Sequence, residues 1–300
     1  MLICLAGRPS HRSSRRVERT GPAGPTVVSM PEGHTIHRAA RQQNRLFAGR
    51  RVAVSSPQGR FAASAERIDG RRLERVEAAG KHLFYHWETG EIGHVHLGLF
   101  GQFRVRQGED RPAPRPATRM RLATSDAIVD LSGPTACTLD PPTAREQILA
   151  RLGPDPLRKG AQPTPMFDRI RRSRRSIADL LMDQAVIAGI GNVYRAEILF
   201  VNGLHPLTTG RTLDQTMLQS LWDTARRMLG DGRRSGRIVT VDRAELGIPT
   251  NRRVPRGEAT YVYKRDRCLR CGTPIETMQI ANRTCYYCPC LLYTSDAADD

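Results

Sequence analysis

Five of the chain's seven cysteines fall between residues 268 and 290, and this clustering constrains the fold more than any other feature. Thiols gathered in so short a stretch point to a metal site in a reducing compartment rather than a disulfide framework. Cys268-Leu269-Arg270-Cys271-Gly272 has the form of a zinc knuckle. Its tight turn brings two thiolates to one ion, and the glycine relieves the crowding behind them. A second pair is needed about fifteen residues on. Cys285 and Cys288 have the spacing, but Thr284 to Tyr287 reads as a strand, where residues three apart face opposite ways. A knuckle starting at Cys288-Pro289 needs a cysteine at 291, where Leu291 stands, and Cys290 comes one residue early. The predicted zinc ligands are Cys268, Cys271 and Cys288, with Cys285 the candidate for an open fourth place. Such a closed thiolate site is structural and would position a hairpin.

Upstream, the apolar period changes twice. From Pro31 the spacing of Ile36, Ala39, Ala40 and Phe47 predicts a helix, with Pro31 at its first position, Glu32 on its positive end and Gly49 at its stop. Short β-type runs follow at 51–55, 73–78, 81–87, 92–97, 102–106, 119–124 and 127–131, which predicts a β-sandwich behind a helix. Near Gly153-Pro154-Asp155-Pro156 the pattern turns helical. Ser176 and Asp179 predict a capped helix over 177–187, and Asn192 is placed to cap 193–201. Thr212 and Gln215 predict the start of a helix that ends at Gly230. Residues 231–258 read as a long loop. The fold class is therefore α+β, with a boundary between residues 153 and 154.

The chain carries 47 basic and 30 acidic residues, a net charge of +17. The first 29 residues hold five Arg and one Glu and the last ten hold three Asp, so the excess lies between them. A balance this basic points to a polyanion, nucleic acid above all, rather than a merely soluble surface. No apolar run approaches a membrane span. Residues 1–29 are rich in Arg, Ser, Gly and Pro and read as an untranslated leader or, second, as an organellar transit peptide.

Five further groups of residues bear on chemistry. If Met30 is the true start and is removed, Pro31 gains a free secondary amine able to attack an aldehyde-like carbon, with Glu32 beside it to move protons. Ala188-Gly189-Ile190-Gly191 before Asn192 offers backbone N–H groups to an anion, beside the basic run from Arg169 to Arg175. Lys81 follows Gly80 at a strand turn, as a solvated residue, a phosphate clamp or a proton carrier. His94 and His96 face one way in a strand and read as structural. Leu99-Phe100 sits between glycines, and its apolar pattern reads first as core packing and second as a wedge between bases.

Taken in order, these residues resemble the formamidopyrimidine-DNA glycosylase and endonuclease VIII family. The resemblance runs from Pro31 to about Pro289 through Pro31-Glu32-Gly33, Gly80-Lys81-His82-Leu83, Gly153-Pro154-Asp155-Pro156-Leu157, Asp183-Gln184 through Asn192, and the finger from Cys268 to Cys288. The Pro-Glu-Gly opening looks more like the endonuclease VIII branch, which favours oxidised pyrimidines. The resemblance implies a leader over 1–29, a catalytic β-sandwich over 30–153, a helix–two-turn–helix unit over 154–258 and a truncated zinc ribbon over 259–290. Residues 291–300 match nothing in the family and read as a non-native tail. It implies a monomeric, nucleoid-associated cytoplasmic enzyme of base excision repair that acts on double-stranded DNA bearing an oxidised base or abasic site. Pro31 would attack C1′ of a flipped nucleotide, Glu32 would move protons, and β- and δ-elimination would cut the strand. By the same resemblance Lys81 contacts phosphate and assists catalysis, Asn192 and Arg283 grip phosphate, and Leu99 and Phe100 fill the gap left by flipping. The finger register places the last ligands at 288 and 291. Thr35 stands where the family commonly has an acid.

Two other classes fit parts of the chain. A non-catalytic damaged-DNA-binding protein follows if Pro31 is never freed. A zinc-ribbon factor acting on RNA or in transcription follows from the cysteines alone, but it would not need the ordered Pro31, Lys81 and Asn192 motifs. A glycosylase preferring oxidised purines is the alternative within the family.

Overall fold

The computed structural model describes residues 31–108 and 110–290. The leader, Met30 and the tail from 291 lie outside the described residues. The first helix, α1 (Gly33–Phe47), buries Ile36, Ala40 and Phe47 as its period requires. It begins two residues later than the sequence predicts. Pro31 and Glu32 precede it, and the Glu32 carboxylate turns away from its own helix toward another.

Nine antiparallel strands follow. They are β1 (Arg50–Arg51), β2 (Ala53–Ser55), β3 (Arg72–Ala79), β4 (His82–Trp87), β5 (Ile92–His96), β6 (Gln102–Gln107), β7 (Thr118–Ala123), β8 (Ala127–Ser132) and β9 (Ala136–Asp140). One sheet has the order β1-β3-β4-β5-β9 and the other β2-β7-β8-β6. Their inner faces share one core that includes Phe47, Leu73, Leu83, Trp87, Leu122 and Leu131. The sandwich is as predicted, with three additions: β9, α2 (Ala62–Ile68) and α3 (Pro142–Arg151). Strand β4 is buried on both faces because α3 lays Ile148, Leu149 and Leu152 against Phe84 and Ile92.

The second half is helical: α4 (Thr164–Arg171), α5 (Ile177–Met182), α6 (Asn192–Val201) and α7 (Gln215–Ser235). Helix α5 starts at the predicted Ser176 cap but stops at Met182, not Ile187. Asp183 takes the Ala185 N–H and Gln184 takes that of Gly189, so side chains divert the backbone from the helix. Asn192 does not cap α6. Gly191 holds that position, and the Asn192 side chain is used elsewhere. Asp214, not Thr212, caps α7 through the Met217 N–H. That helix runs through Gly230 to a left-handed Gly236, so the predicted loop at 231–258 begins as helix.

The remainder of that loop is anchored. Val241 and Val254 are buried, and Arg243 bonds to the carbonyls of Thr250 and Arg252. Glu197, buried within α6, accepts from Thr240 and from the backbone N–H groups of Tyr261, Val262 and Tyr263. The chain closes on the hairpin β10 (Glu276–Ile280) and β11 (Arg283–Tyr287). No helix among the described residues is long and apolar enough to cross a membrane.

Candidate active site

Four glycines bring the two halves together. Gly33 donates its N–H to the Gly189 carbonyl at 2.8 Å, and a Cβ on Gly33 would lie 2.8 Å from the Gly189 Cα. A Cβ on Gly191 would collide with the Glu32 carboxylate. Gly80, at φ +55°, lies against Ala188 and Gly189. Asp155 completes the joint. Its Oδ2 accepts from the Gly80 N–H at 2.7 Å and contacts the His37 Nε2 at 2.7 Å, while its Oδ1 accepts from the Leu157 N–H. The Gly-Pro-Asp-Pro turn thus ties α1 and the β3–β4 turn to the helical half.

Glu32 is the chemical centre of this junction. It is fully buried, and its carboxylate accepts from the N–H groups of Gly191 at 2.8 Å and Val193 at 2.9 Å. It occupies the positive end of α6, an anion site that the sequence assigned to DNA phosphate. Burial pushes its carboxyl above the ordinary range, against the Lys81 charge and the N–H groups of Val193, Gly191 and Tyr194. Burial lowers the Lys81 ammonium as well, with Glu32 opposing and Arg283 reinforcing the shift. Pro31, half-buried, directly precedes Glu32. The arrangement can hold a proton on a buried acid beside Pro31, with a cation within electrostatic reach.

The β4–β5 register positions two further segments. His82 pairs with His96, so the Gly80-Lys81 turn and the segment after His96 leave the sheet at one end. That segment carries Leu99, 40% exposed, and Phe100, 76% exposed. Core packing, the first sequence reading of this pair, is therefore not what the fold does. His82 Nδ1 lies 3.0 Å from His94 Nε2, and the rings stack. Burial drives His82 down to about 3 and His94 to about 4, which keeps this ladder neutral at physiological pH, and His96 Nδ1 accepts the Gly98 N–H. The histidines thus pack on one another along the sheet, the structural role expected of His94 and His96.

Asn192 is buried. Its amide donates to the Thr284 carbonyl at 2.9 Å, and its Oδ1 accepts from Arg195 at 2.5 Å. Arg195 reaches on to the Ile280 carbonyl. These bonds fasten the β10–β11 hairpin to α6 and hold Arg283, just past the hairpin turn, close enough for its charge to act on Lys81. Arg195 and Glu197 carry no signal in the sequence, and Asp155 none beyond its motif. A buried charged residue in an amphipathic helix has no periodic signature.

Cys268, Cys271 and Cys288 bring their sulfurs within 4.8 Å of one another. Burial raises the Cys271 thiol, but hydrogen bonds from Thr273 and the other two cysteines outweigh it and bring the thiol to about 6. Three converging thiols of this kind fit three corners of a zinc tetrahedron. Cys285 is excluded from the set. It points from β11 into the core shared with α5, α6 and α7, whereas Cys268 and Cys288 lie in a separate cluster with Phe200 and Tyr261. The strand alternation that argued against the 285/288 pair decides its outcome.

Comparison with known proteins places this geometry. Residues 30–140 match the formamidopyrimidine-DNA glycosylase N-terminal domain, and residues 152–242 match the formamidopyrimidine-DNA glycosylase H2TH domain. The chain is similar to endonuclease 8 1 of Mycobacterium tuberculosis, 44% identical over 266 residues, covering 87% of this chain and 98% of that protein. It is similar to the formamidopyrimidine-DNA glycosylase of Geobacter metallireducens at 30% identity over 272 residues, again covering 87% and 98%. Its fold is that of Lactococcus lactis Fpg solved in complex with DNA containing an abasic site, with a TM-score of 0.69 at 18% identity, covering 88% of this chain and all of that one. The chain belongs to the formamidopyrimidine-DNA glycosylase and endonuclease VIII family, whose members are DNA glycosylases with abasic-site lyase activity.

Proposed function

We propose that this protein is a bifunctional DNA glycosylase and abasic-site lyase of base excision repair that removes oxidised bases, with oxidised pyrimidines favoured. The observation that carries the reading is Glu32: a buried carboxyl, raised toward its protonated form, immediately after Pro31 and within the field of Lys81. The chemistry requires Pro31 to be the mature N-terminus. Its amine attacks C1′ of the flipped nucleotide, and the glycosidic bond breaks with its electron pair passing to the base. Glu32 supplies the proton that the base or the opening sugar needs. The iminium that forms acidifies the C2′ proton. Loss of that proton expels the 3′ phosphate, and a second elimination expels the 5′ phosphate.

Lys81 and Arg283 supply cations for the strand's phosphates, and Leu99 and Phe100 present apolar surface to the vacated stack. Asn192 acts in this reading by holding the hairpin, and with it Arg283, against α6. Cys268, Cys271 and Cys288 would hold a structural zinc that fixes the hairpin. The 44% identity to an endonuclease 8 supports the pyrimidine preference. A panel of duplexes carrying single oxidised pyrimidines or oxidised purines tests it. The expected result is faster single-turnover excision of the pyrimidines, with phosphate on both sides of the gap. Faster excision of purines would assign the protein to the other branch, and cleavage leaving only β-elimination products would remove the second step.

A further inference from the structure

The outer face of α7 carries a basic cavity that none of Glu32, Lys81, Asn192 or Arg283 lines. It encloses about 480 Å³, within the range of about 300–1,000 Å³ typical of small-ligand sites. Arg226, Arg227, Arg233 and Arg234 come from one stripe of α7, and Arg158 and Lys159 face them from the segment after Asp155. Gly230 sits between the arginines at the floor, where a side chain would take up space.

Two of the six cations are engaged: Arg158 with Glu77 at 3.0 Å and Arg234 with Asp231. Among the described residues no carboxylate pairs with Lys159, Arg226, Arg227 or Arg233. Asp223 is the one acid in the lining, and its carboxylate is bonded to Gln219. The Arg233 Nε–H is buried with no acceptor, although its guanidinium reaches the Leu157 carbonyl at 3.5 Å. A buried charged donor without an acceptor is costly, and a nearby anion would offset that cost through its charge.

We propose that this cavity is an anion site for a compact polyphosphate, independent of the DNA cleft. Four uncompensated cations converging on a concave space suit several phosphates held close together, and guanidinium forks bind phosphate oxygens in pairs. A duplex backbone is convex and presents its phosphates in a spaced row, which suits a ridge or groove better than a pocket. Pro156 and Leu157 form an apolar side of the cavity, against which the nucleoside of a nucleotide could rest while its phosphates meet the cations.

Calorimetric titration of the full chain with inorganic tripolyphosphate, ATP and orthophosphate at about 0.15 M salt tests the site. Saturable one-to-one binding of tripolyphosphate is expected, with orthophosphate weaker by about tenfold or more. ATP binding equal to tripolyphosphate means that the phosphates alone are recognised, and tighter ATP binding adds the Pro156–Leu157 side; both support the site. Arg226 and Arg227 are exposed, and R226Q/R227Q is expected to weaken tripolyphosphate by about tenfold while changing affinity for an abasic-site duplex by less than about twofold. Tripolyphosphate should raise the thermal midpoint of the wild type more than that of the variant. Absence of saturable binding, equal binding by the variant, or a matching loss of duplex affinity would overturn the proposal.

Discussion

Glu32 shows how much of a site can rest on one side chain whose partners lie about 160 residues away. Its oxygens are held by backbone dipoles at the start of α6, so the carboxyl is positioned before any substrate arrives. Glu32→Gln keeps the shape and removes the titrating proton. Base excision by this variant is expected to fall by about 10²–10⁴-fold in single-turnover assays, with little change in duplex affinity. The pH profile carries the sign. Because burial raises the Glu32 carboxyl, its acid form persists above the ordinary carboxylate range, and the wild-type contribution of that acid declines as pH rises through the raised value. The residual rate of the Gln variant should lack that decline. At this scale the sequence was informative about identity and silent about partners. Pro31-Glu32 and Gly80-Lys81 stood out as motifs, but nothing in Asn192 signalled that its amide would bind the Thr284 carbonyl instead of capping its own helix.

The elements meet through the joint at Asp155. Burial alone would raise this carboxyl, but the bond and charge of His37 and the N–H groups of Gly80 and Leu157 hold it below its ordinary value. A depressed carboxyl stabilises the fold fully above its unfolded-state value and loses that contribution as pH falls through the depressed one. Asp155→Ala leaves buried donors without an acceptor and is expected to cost about 2–5 kcal/mol near neutral pH. Thermal melts should show a wide gap from wild type at neutral pH that narrows in acid; a gap independent of pH would mean that the carboxylate charge is not what holds the joint.

Element boundaries were legible where periodicity was strong, as in α1, β7 and β8. They were lost where it was weak. Helix α3 opens on Pro142 behind Pro141 and buries no residue completely, so it showed no stripe. The β10–β11 turn places Ala281 and Asn282 at φ +53° and +56°, a two-residue turn without the Asn-Gly signal that would reveal a hairpin.

At the scale of the molecule, the sandwich side, the helical unit and the β10–β11 hairpin meet around Glu32 and the start of α6, and that convergence could not be read from any segment alone. The order of motifs conveyed it through resemblance; the physics that enforces it is the glycine contact between Gly33 and Gly189 and the hydrogen bonds across the joint. The finger is expected to depend on metal. Chelation should release zinc and weaken duplex binding, while the cores packed around Trp87 and Trp222 keep their thermal transition. Metal release with unchanged duplex affinity would separate the finger from DNA binding. Whether Pro31 is the nucleophile is decided by borohydride trapping of a chain beginning at Pro31 on a duplex with one abasic site, followed by mass mapping of the adduct. One covalent DNA adduct per chain on the Pro31 nitrogen is expected; no adduct, or an adduct on Lys81, would rule Pro31 out.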